Sequence, residues 1–207
     1  MTDRAQTGSP EPVVPRRGRG RIRDADTTAA ILEASMALLV ERGLKGFTIE
    51  GVAARAGVGK ATIYRWWPSR GAVALDAFLA AVDPQVPYPD VDDFATALRT
   101  QVRSLIGVFR DTPNGAVVRA LLGEAQTDQD LAEAFRIRWV EVRRSYGRAV
   151  FRHAQQTGQI RADLDIETAI DLVYGPVYYR LLTGHAPLSD EFADCVVEYA
   201  LRGLAPR

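Results

Sequence analysis

Apolar residues recur along this chain at helical spacing nearly from end to end, and no stretch alternates with the period of a strand. The first stripe, Ile31, Ala34, Ser35, Leu38 and Leu39, predicts a helix from about Ala25 to Arg42, ended by Gly43. Ile49, Val52, Ala53 and Ala56 fall at i, i+3, i+4 and i+7 and predict a short helix capped by Thr48. Gly57-Val58-Gly59 interrupts it, because glycine takes the left-handed backbone that ends helices, and Val58 anchors the turn. A second short helix, Lys60 to Trp67, turns Ile63 and Trp67 inward until Pro68, which lacks the N–H the ladder needs, stops it. Leu44 and Phe47 close this small core. From the capping residue Ser69, a fourth helix to about Val82 is apolar on two sides, with Val73 and Ala77 on one and Leu75, Phe78 and Leu79 on the other. Such a helix touches two neighbours and serves as a bridge.

DPQVPYPD, Asp83 to Asp90, holds three prolines and marks a domain boundary. Beyond it the pattern stays helical. A helix over about 91–110 carries Phe94, Leu98, Val102, Leu105 and Phe109, and Pro113-Asn114-Gly115 turns into another with Val117, Val118, Leu121, Leu122 and Ala125. A long helix over about 128–156 has the stripe Leu131, Phe135, Trp139, Val142, Tyr146 and Val150. Its opposite face, with Arg136, Arg143, Arg144, Arg148 and Arg152, reads as solvated, and Gly158 ends it. The last two helices, about 166–183 and 189–204, are broadly apolar, and Pro176 should kink the first of them. A helix apolar all round is buried, and at the end of a chain this size burial on two sides implies a second subunit, met through Val177, Leu181, Val197 and Leu201. The expected fold is all-α, about nine helices: a flexible basic arm (1–23), a helix-turn-helix domain (24–83) and a helical regulatory and dimerisation domain (84–207).

The turn between the two short helices suggests a function. Ala53 lets them approach, Gly57 makes the turn and Ile63 locks the second against the first, so the second helix can project into a DNA major groove. An ordinary αα-hairpin is the alternative. Against it stands the outer face, Lys60, Ala61, Thr62, Tyr64, Arg65 and Trp66, which is basic, aromatic and small rather than rich in Glu and Lys. Charge agrees. Residues 1–71 hold 12 Lys and Arg against 7 Asp and Glu, while residues 72–207 hold 14 against 19, so a neutral chain conceals a basic head on an acidic body. Arg16, Arg17, Arg19, Arg21 and Arg23, interleaved with glycines, read as an arm for the minor groove or for phosphates, and otherwise as a solvated tail.

FTIEGVAARAGVGKATIYRWWPSRGAV resembles the DNA-binding signature of the tetracycline-repressor (TetR) family of bacterial transcriptional regulators. The likeness covers about residues 24–80, with Phe47-Thr48, Ala53, Ala56-Gly57-Val58, Lys60, Tyr64 and Pro68-Ser69-Arg70 in place. It departs at Gly59, where a serine is usual, and at Trp66-Trp67, which replace a common His-Phe pair. The resemblance implies that Lys60, Tyr64 and Arg65 face the groove and its phosphates, that Ala61 lies close to bases, and that Thr48 and Arg70 hold the backbone. It also implies dimerisation through the last two helices as a four-helix bundle and double-stranded DNA with a palindromic operator as the partner.

Large aromatics on inner faces, with a polar residue at an apolar position, suggest a pocket between the helices of the body, opening under the fourth helix. Its candidate lining is Gln101, Leu105, Phe109, Leu121, Phe135, Trp139, Tyr174 and Tyr178, suited to a hydrophobic or aromatic effector; plain core packing is the alternative. No catalytic constellation stands out. His153, His185 and Cys195 lack ligand spacing, so no metal, cofactor or enzyme activity is expected; His153 reads as a core or pocket residue and Cys195 as a small packed hydrophobe. With 47% hydrophobic and 25% charged residues, no run long enough to span a membrane and no signal peptide, a cytoplasmic protein is expected. Two readings remain: a homodimeric repressor released by a small ligand, or a regulator of the same fold answering to a protein partner or to its own abundance.

Overall fold

The structure, a computed structural model, describes residues 19–86 and 89–206, with side chains from Ala25 onward. Among these residues it is all-helical: α1 (Arg19–Gly46), α2 (Ile49–Ala56), α3 (Lys60–Tyr64), α4 (Arg70–Val82), α5 (Phe94–Asp111), α6 (Asn114–Glu124), α7 (Gln129–Phe135), α8 (Val142–Gln156), α9 (Ile166–Thr183) and α10 (Asp190–Leu204). A π-turn, Arg136–Glu141, joins α7 and α8 into one rod.

α1 begins earlier than the stripe from Ala25 suggests. Arginine is a good helix former and tolerates a single intervening glycine, so the backbone at Arg19, Arg21 and Arg23 is helical rather than a flexible arm. Arg16 and Arg17 lie outside the described residues, as do the side chains of all five arginines. At the other end Gly43, at φ 64°, breaks the helix where expected.

α4 is the bridge. Val73, Ala74, Leu75, Ala77, Phe78 and Val82 are all buried, and the helix packs on α1 on one side and on α6 and α7 on the other. α5 and α6 meet at a tight corner. There a Cβ on Gly115 would lie 2.0 Å from the Phe109 carbonyl oxygen, so only glycine fits. α10 lies along α5 and α9, held on α5 by Arg103 to Asp194 at 2.9 and 2.5 Å and by Arg110 to Asp190 at 2.8 Å.

The long rod departs from the expected stripe in its second half. Leu131, Phe135 and Trp139 are buried, but Val142 and Tyr146 are exposed, and the inner side continues through Arg143, Gly147 and Phe151. Five successive steps of four residues would carry a side chain about 200° round an ordinary α-helix. The π-turn, whose bonds span five residues rather than four, absorbs that drift and keeps one face on the core.

α9 runs through Pro176 as one helix. Its inner side is Val173, Val177 and Leu181, and that of α10 is Ala193, Val197, Ala200 and Leu204. Val177, Leu181 and Val197, expected to face a second subunit, are therefore buried in the chain's own core, with Leu201 half-buried. The opposite faces remain open: Leu172, Gly175, Tyr179, Leu182 on α9 and Cys195, Tyr199 on α10.

Candidate nucleic-acid interface and internal cavity

The reading head is assembled by local chemistry. Thr48 Oγ1 accepts from the Gly51 N–H at 3.1 Å and caps α2. Gly57 sits at φ 68°, ψ 30°, and both its N–H and that of Val58, at 3.0 Å, return to the Ala53 carbonyl. Gly59 is extended and offers no side chain, so α3 starts without a side-chain cap. Ile63 and Trp67 fix α3 from behind, 0% and 5% exposed. Lys60, Ala61, Tyr64, Arg65 and Trp66 are exposed and Thr62 half-buried. Two large aromatics, Tyr64 and Trp66, are thus half in water, with the Arg65 guanidinium 5.4 Å from the Trp66 ring. Lys60 Nζ lies 3.1 Å from Glu50, an exposed pair that contributes little to stability and can be exchanged for another anion.

Arg70 differs from expectation. Its guanidinium donates to the Leu44 carbonyl at 2.7 Å and pairs with Glu124 of α6, so it ties the head to the body rather than reaching outward. A second tie runs from the turn that follows α3. Trp67 Nε1 donates to Asp76 Oδ2 of α4 at 2.8 Å, and Asp76 pairs with Arg138 in the π-turn.

A cavity of about 310 Å³ lies between α5, α6, the π-turn, α8 and α9; no α4 residue lines it, so, contrary to expectation, it does not open under α4. Of the residues expected around it, Gln101, Leu105, Trp139, Tyr174 and Tyr178 line it. Phe109, Leu121 and Phe135 do not. Each is within 5% of full burial and packs in the core, Phe109 edge-on to Tyr178 at 5.8 Å. Sequence reasoning missed Val86, Leu122, Val140, Ile170 and Leu182 of the apolar wall, and Arg143, Arg144 and Asp171 of the polar rim. Trp139 Nε1 donates to Tyr178 Oη at 2.7 Å, and its ring stands edge-on to Phe78 of α4 at 5.1 Å. The cavity wall and the bridge helix are in direct contact.

The arginines read as a solvated face are in part structural. Arg143 lies over the Trp139 ring at 4.8 Å, donates to the Val86 carbonyl and pairs with Asp83 at 2.6 Å. Arg144 pairs with Glu167 at 2.6 Å and with Asp171; Arg148 pairs with Glu141 at 2.6 Å and with Glu167. Hydrogen bonds from Arg148 and then Arg144 hold the Glu167 carboxyl down to about 2. A run of five arginines on one helix gives little sign of such pairing, because all the partners but Glu141 sit on α9 and after α4.

His153 is half-exposed, its Nε2 3.9 Å from Asp92, and Cys195 is exposed; neither is the packed residue expected. His185 lies in the loop after α9, bonded to Thr183 at 2.6 Å. Among the described residues no group of three His, Cys, Asp or Glu is placed to hold a metal, and no helix is long and apolar enough to cross a membrane.

A capped helix-turn-helix with an exposed basic-aromatic second helix, joined to a helical body by the bridging α4 and by α1 against α6, defines a DNA-binding transcriptional regulator. Residues 31–77 match the family described as bacterial regulatory proteins, tetR family, and residues 88–200 match the tetracyclin repressor-like C-terminal domain. The chain is 38% identical over 186 residues to the HTH-type transcriptional regulator YdeS of Bacillus subtilis, covering 90% of this chain and 93% of that one. The crystal structure of the TetR family transcription regulator SCO0332 superposes with a TM-score of 0.77 at 40% identity, over 87% of this chain and 100% of that one. The transcriptional regulator FadR from Bacillus subtilis, solved in complex with stearoyl-CoA, shares the fold at a TM-score of 0.66 and 17% identity, over 85% of this chain and 98% of that one. The chain belongs to the TetR family of helix-turn-helix transcriptional regulators.

Proposed function

We propose that the protein is a homodimeric repressor that binds a palindromic operator in double-stranded DNA and leaves it when a hydrophobic or aromatic ligand fills the cavity. Residues 24–83 form the reading head and 84–207 the regulatory and dimerisation body. Lys60, Tyr64, Arg65 and Trp66 meet phosphates and groove edges, and Ala61 and Thr62 are small enough for close approach to bases. The Thr48 hydroxyl and the N–H groups of the first turn of α2 receive a backbone phosphate. The protein carries out no reaction, and DNA as its target places it in the cytoplasm.

The second subunit covers the open faces of α9 and α10, where Leu172, Tyr179 and Tyr199 are 53, 62 and 66% exposed. Two heads held this way reach half-sites about 34–36 Å apart, one turn of DNA or a little more.

The observation that carries this reading is the contact from cavity to head: Trp139 against Phe78, and Arg138 to Asp76 to Trp67 in the turn after α3. A ligand that prefers one setting of α4 shifts the heads by its differential affinity for the two settings, typically about 1–3 kcal/mol or 5–150-fold in operator affinity. The test is a footprint on the promoter of the protein's own gene, followed by a screen of apolar and aromatic compounds for release of that complex. A two-fold-symmetric footprint released by a compound supports the reading. A symmetric footprint that no compound releases leaves a regulator without a small-molecule effector, and no footprint on any genomic fragment removes the operator as well.

A further inference from the structure

The cavity has a chemistry more specific than apolar. Its lining groups fall into three sets, and each restricts the ligand. Trp139, Tyr174 and Tyr178 with Leu105, Ile170 and Leu182 make walls for a flat apolar body. The charged rim is already compensated, Arg143 by Asp83 and Arg144 by Glu167 and Asp171, so a charged ligand gains an ion only by breaking a pair. The third set is Gln101 alone. It is 3% exposed, it lines the cavity from the middle of α5, and its Oε1 has no hydrogen-bond partner among the described residues. A buried acceptor without a donor is unfavourable, and a ligand that turns the amide toward the cavity and supplies the donor recovers that cost only when it is bound. At about 310 Å³ the space is at the small end of ligand sites, which run about 300–1,000 Å³.

We propose that the cavity takes a compact, neutral, flat molecule carrying one hydrogen-bond donor of the phenol type, and that Gln101 is the residue that selects for that donor. The proposal rests on the reading of the cavity as a ligand site. Leu98, Val102 and Leu105, the neighbours of Gln101 on α5, are all apolar and buried, so nothing in the packing of that helix requires an amide at this position.

The test uses the full chain and three probes of one shape, 2-naphthol, 2-methoxynaphthalene and 2-naphthoate, titrated by calorimetry. Wild type should bind 2-naphthol at least about tenfold more tightly than 2-methoxynaphthalene, the factor expected for one buried hydrogen bond, and more tightly than 2-naphthoate. Gln101→Leu should bind the two neutral probes equally. Without ligand it should melt at the same or a higher temperature than wild type, because an unpaired amide is replaced by an apolar group of similar size. Gln101→Glu, which restores an acceptor, should keep a preference for 2-naphthol over 2-methoxynaphthalene. Equal binding of the neutral pair by wild type, or a preference that survives in Gln101→Leu, overturns the role of Gln101 and leaves the cavity as a ligand site. Tighter binding of 2-naphthoate overturns the neutral class. Failure of all three to bind at about millimolar concentration, where even weak complexes of about −4 kcal/mol are half-formed, overturns the ligand site with it.

Discussion

Replacing Asp76 with alanine removes two interactions of unequal weight. Trp67 is 5% exposed, so the loss of Asp76 Oδ2 leaves its indole N–H buried without a partner, at a cost of about 1–3 kcal/mol. The Arg138 side chain is 42% exposed and regains water, so its ion pair with Asp76 contributes about 0.2–1 kcal/mol. Asp76→Ala should therefore lose about 1–4 kcal/mol, several degrees of melting temperature at about 2–4 °C per kcal/mol for a chain of this size. Asp76→Asn keeps an oxygen for Trp67 and gives up only the ion pair, so it should lose about 0.2–1 kcal/mol and melt close to wild type. Melting followed by far-UV circular dichroism reads the stability, and fluorescence anisotropy on the operator reads the head. Since Trp67 packs just after α3, Asp76→Ala should also weaken operator binding more than Asp76→Asn does. If Asp76→Asn falls as far as Asp76→Ala, the charge and not the hydrogen bond holds this junction, and the reasoning is refuted.

Three further predictions follow from positions of clear geometry. Tyr179→Glu should give monomers in sedimentation with a nearly unchanged fold, whereas Val177→Glu, at a side chain 0% exposed, should unfold the chain at a cost of several kcal/mol; a dimeric Tyr179→Glu would remove the open face of α9 as the interface. Gly59→Ser should raise stability by about 0.5 kcal/mol, because φ −77° suits any residue, nothing lies within 4 Å of the added Cβ and the hydroxyl caps α3; a lower melting temperature would contradict the cap. Gly115→Ala, whose Cβ meets the Phe109 carbonyl, should cost about 1–3 kcal/mol by forcing the α5–α6 corner apart, and an unchanged melting curve would show that this corner is not tight.

The head was legible because its determinants are local. Thr48, Gly57 and Ile63 each act within a few residues of their own position, so spacing alone places α2, the turn and α3. Arg70 escaped because its partners, the Leu44 and Phe47 carbonyls and Glu124, lie 26, 23 and 54 residues away. In the body the limits are those of periodicity itself. A 3.6-residue repeat carried past Trp139 puts Val142 and Tyr146 inside, but the π-turn rotates the register, and only the four-residue spacing from Leu131 to Phe151 hints at it. α9 is apolar on nearly every side, so its sequence does not show which face packs on the chain's own core. Val173, Val177 and Leu181 took that side, and Leu172 and Tyr179 the other. For the cavity, a polar residue in an apolar stripe was the informative signal at Gln101. Phe109 and Phe135, chosen as large aromatics on inner faces, are buried in the core and do not line the cavity.

The central claim is that α3 reads DNA, and a salt series of anisotropy titrations on the operator tests it most directly. Wild type, Lys60→Ala and Tyr64→Ala are compared, with melting curves as the control for folding. Both side chains are exposed, so neither substitution should move the melting temperature. Each should weaken binding about tenfold or more, since a charge-assisted or groove contact of about 1–3 kcal/mol is lost in each subunit. Lys60→Ala should in addition flatten the dependence of affinity on salt, by about one phosphate contact per subunit. Full affinity and an unchanged salt slope in both variants would contradict the assignment of α3 as the reading helix.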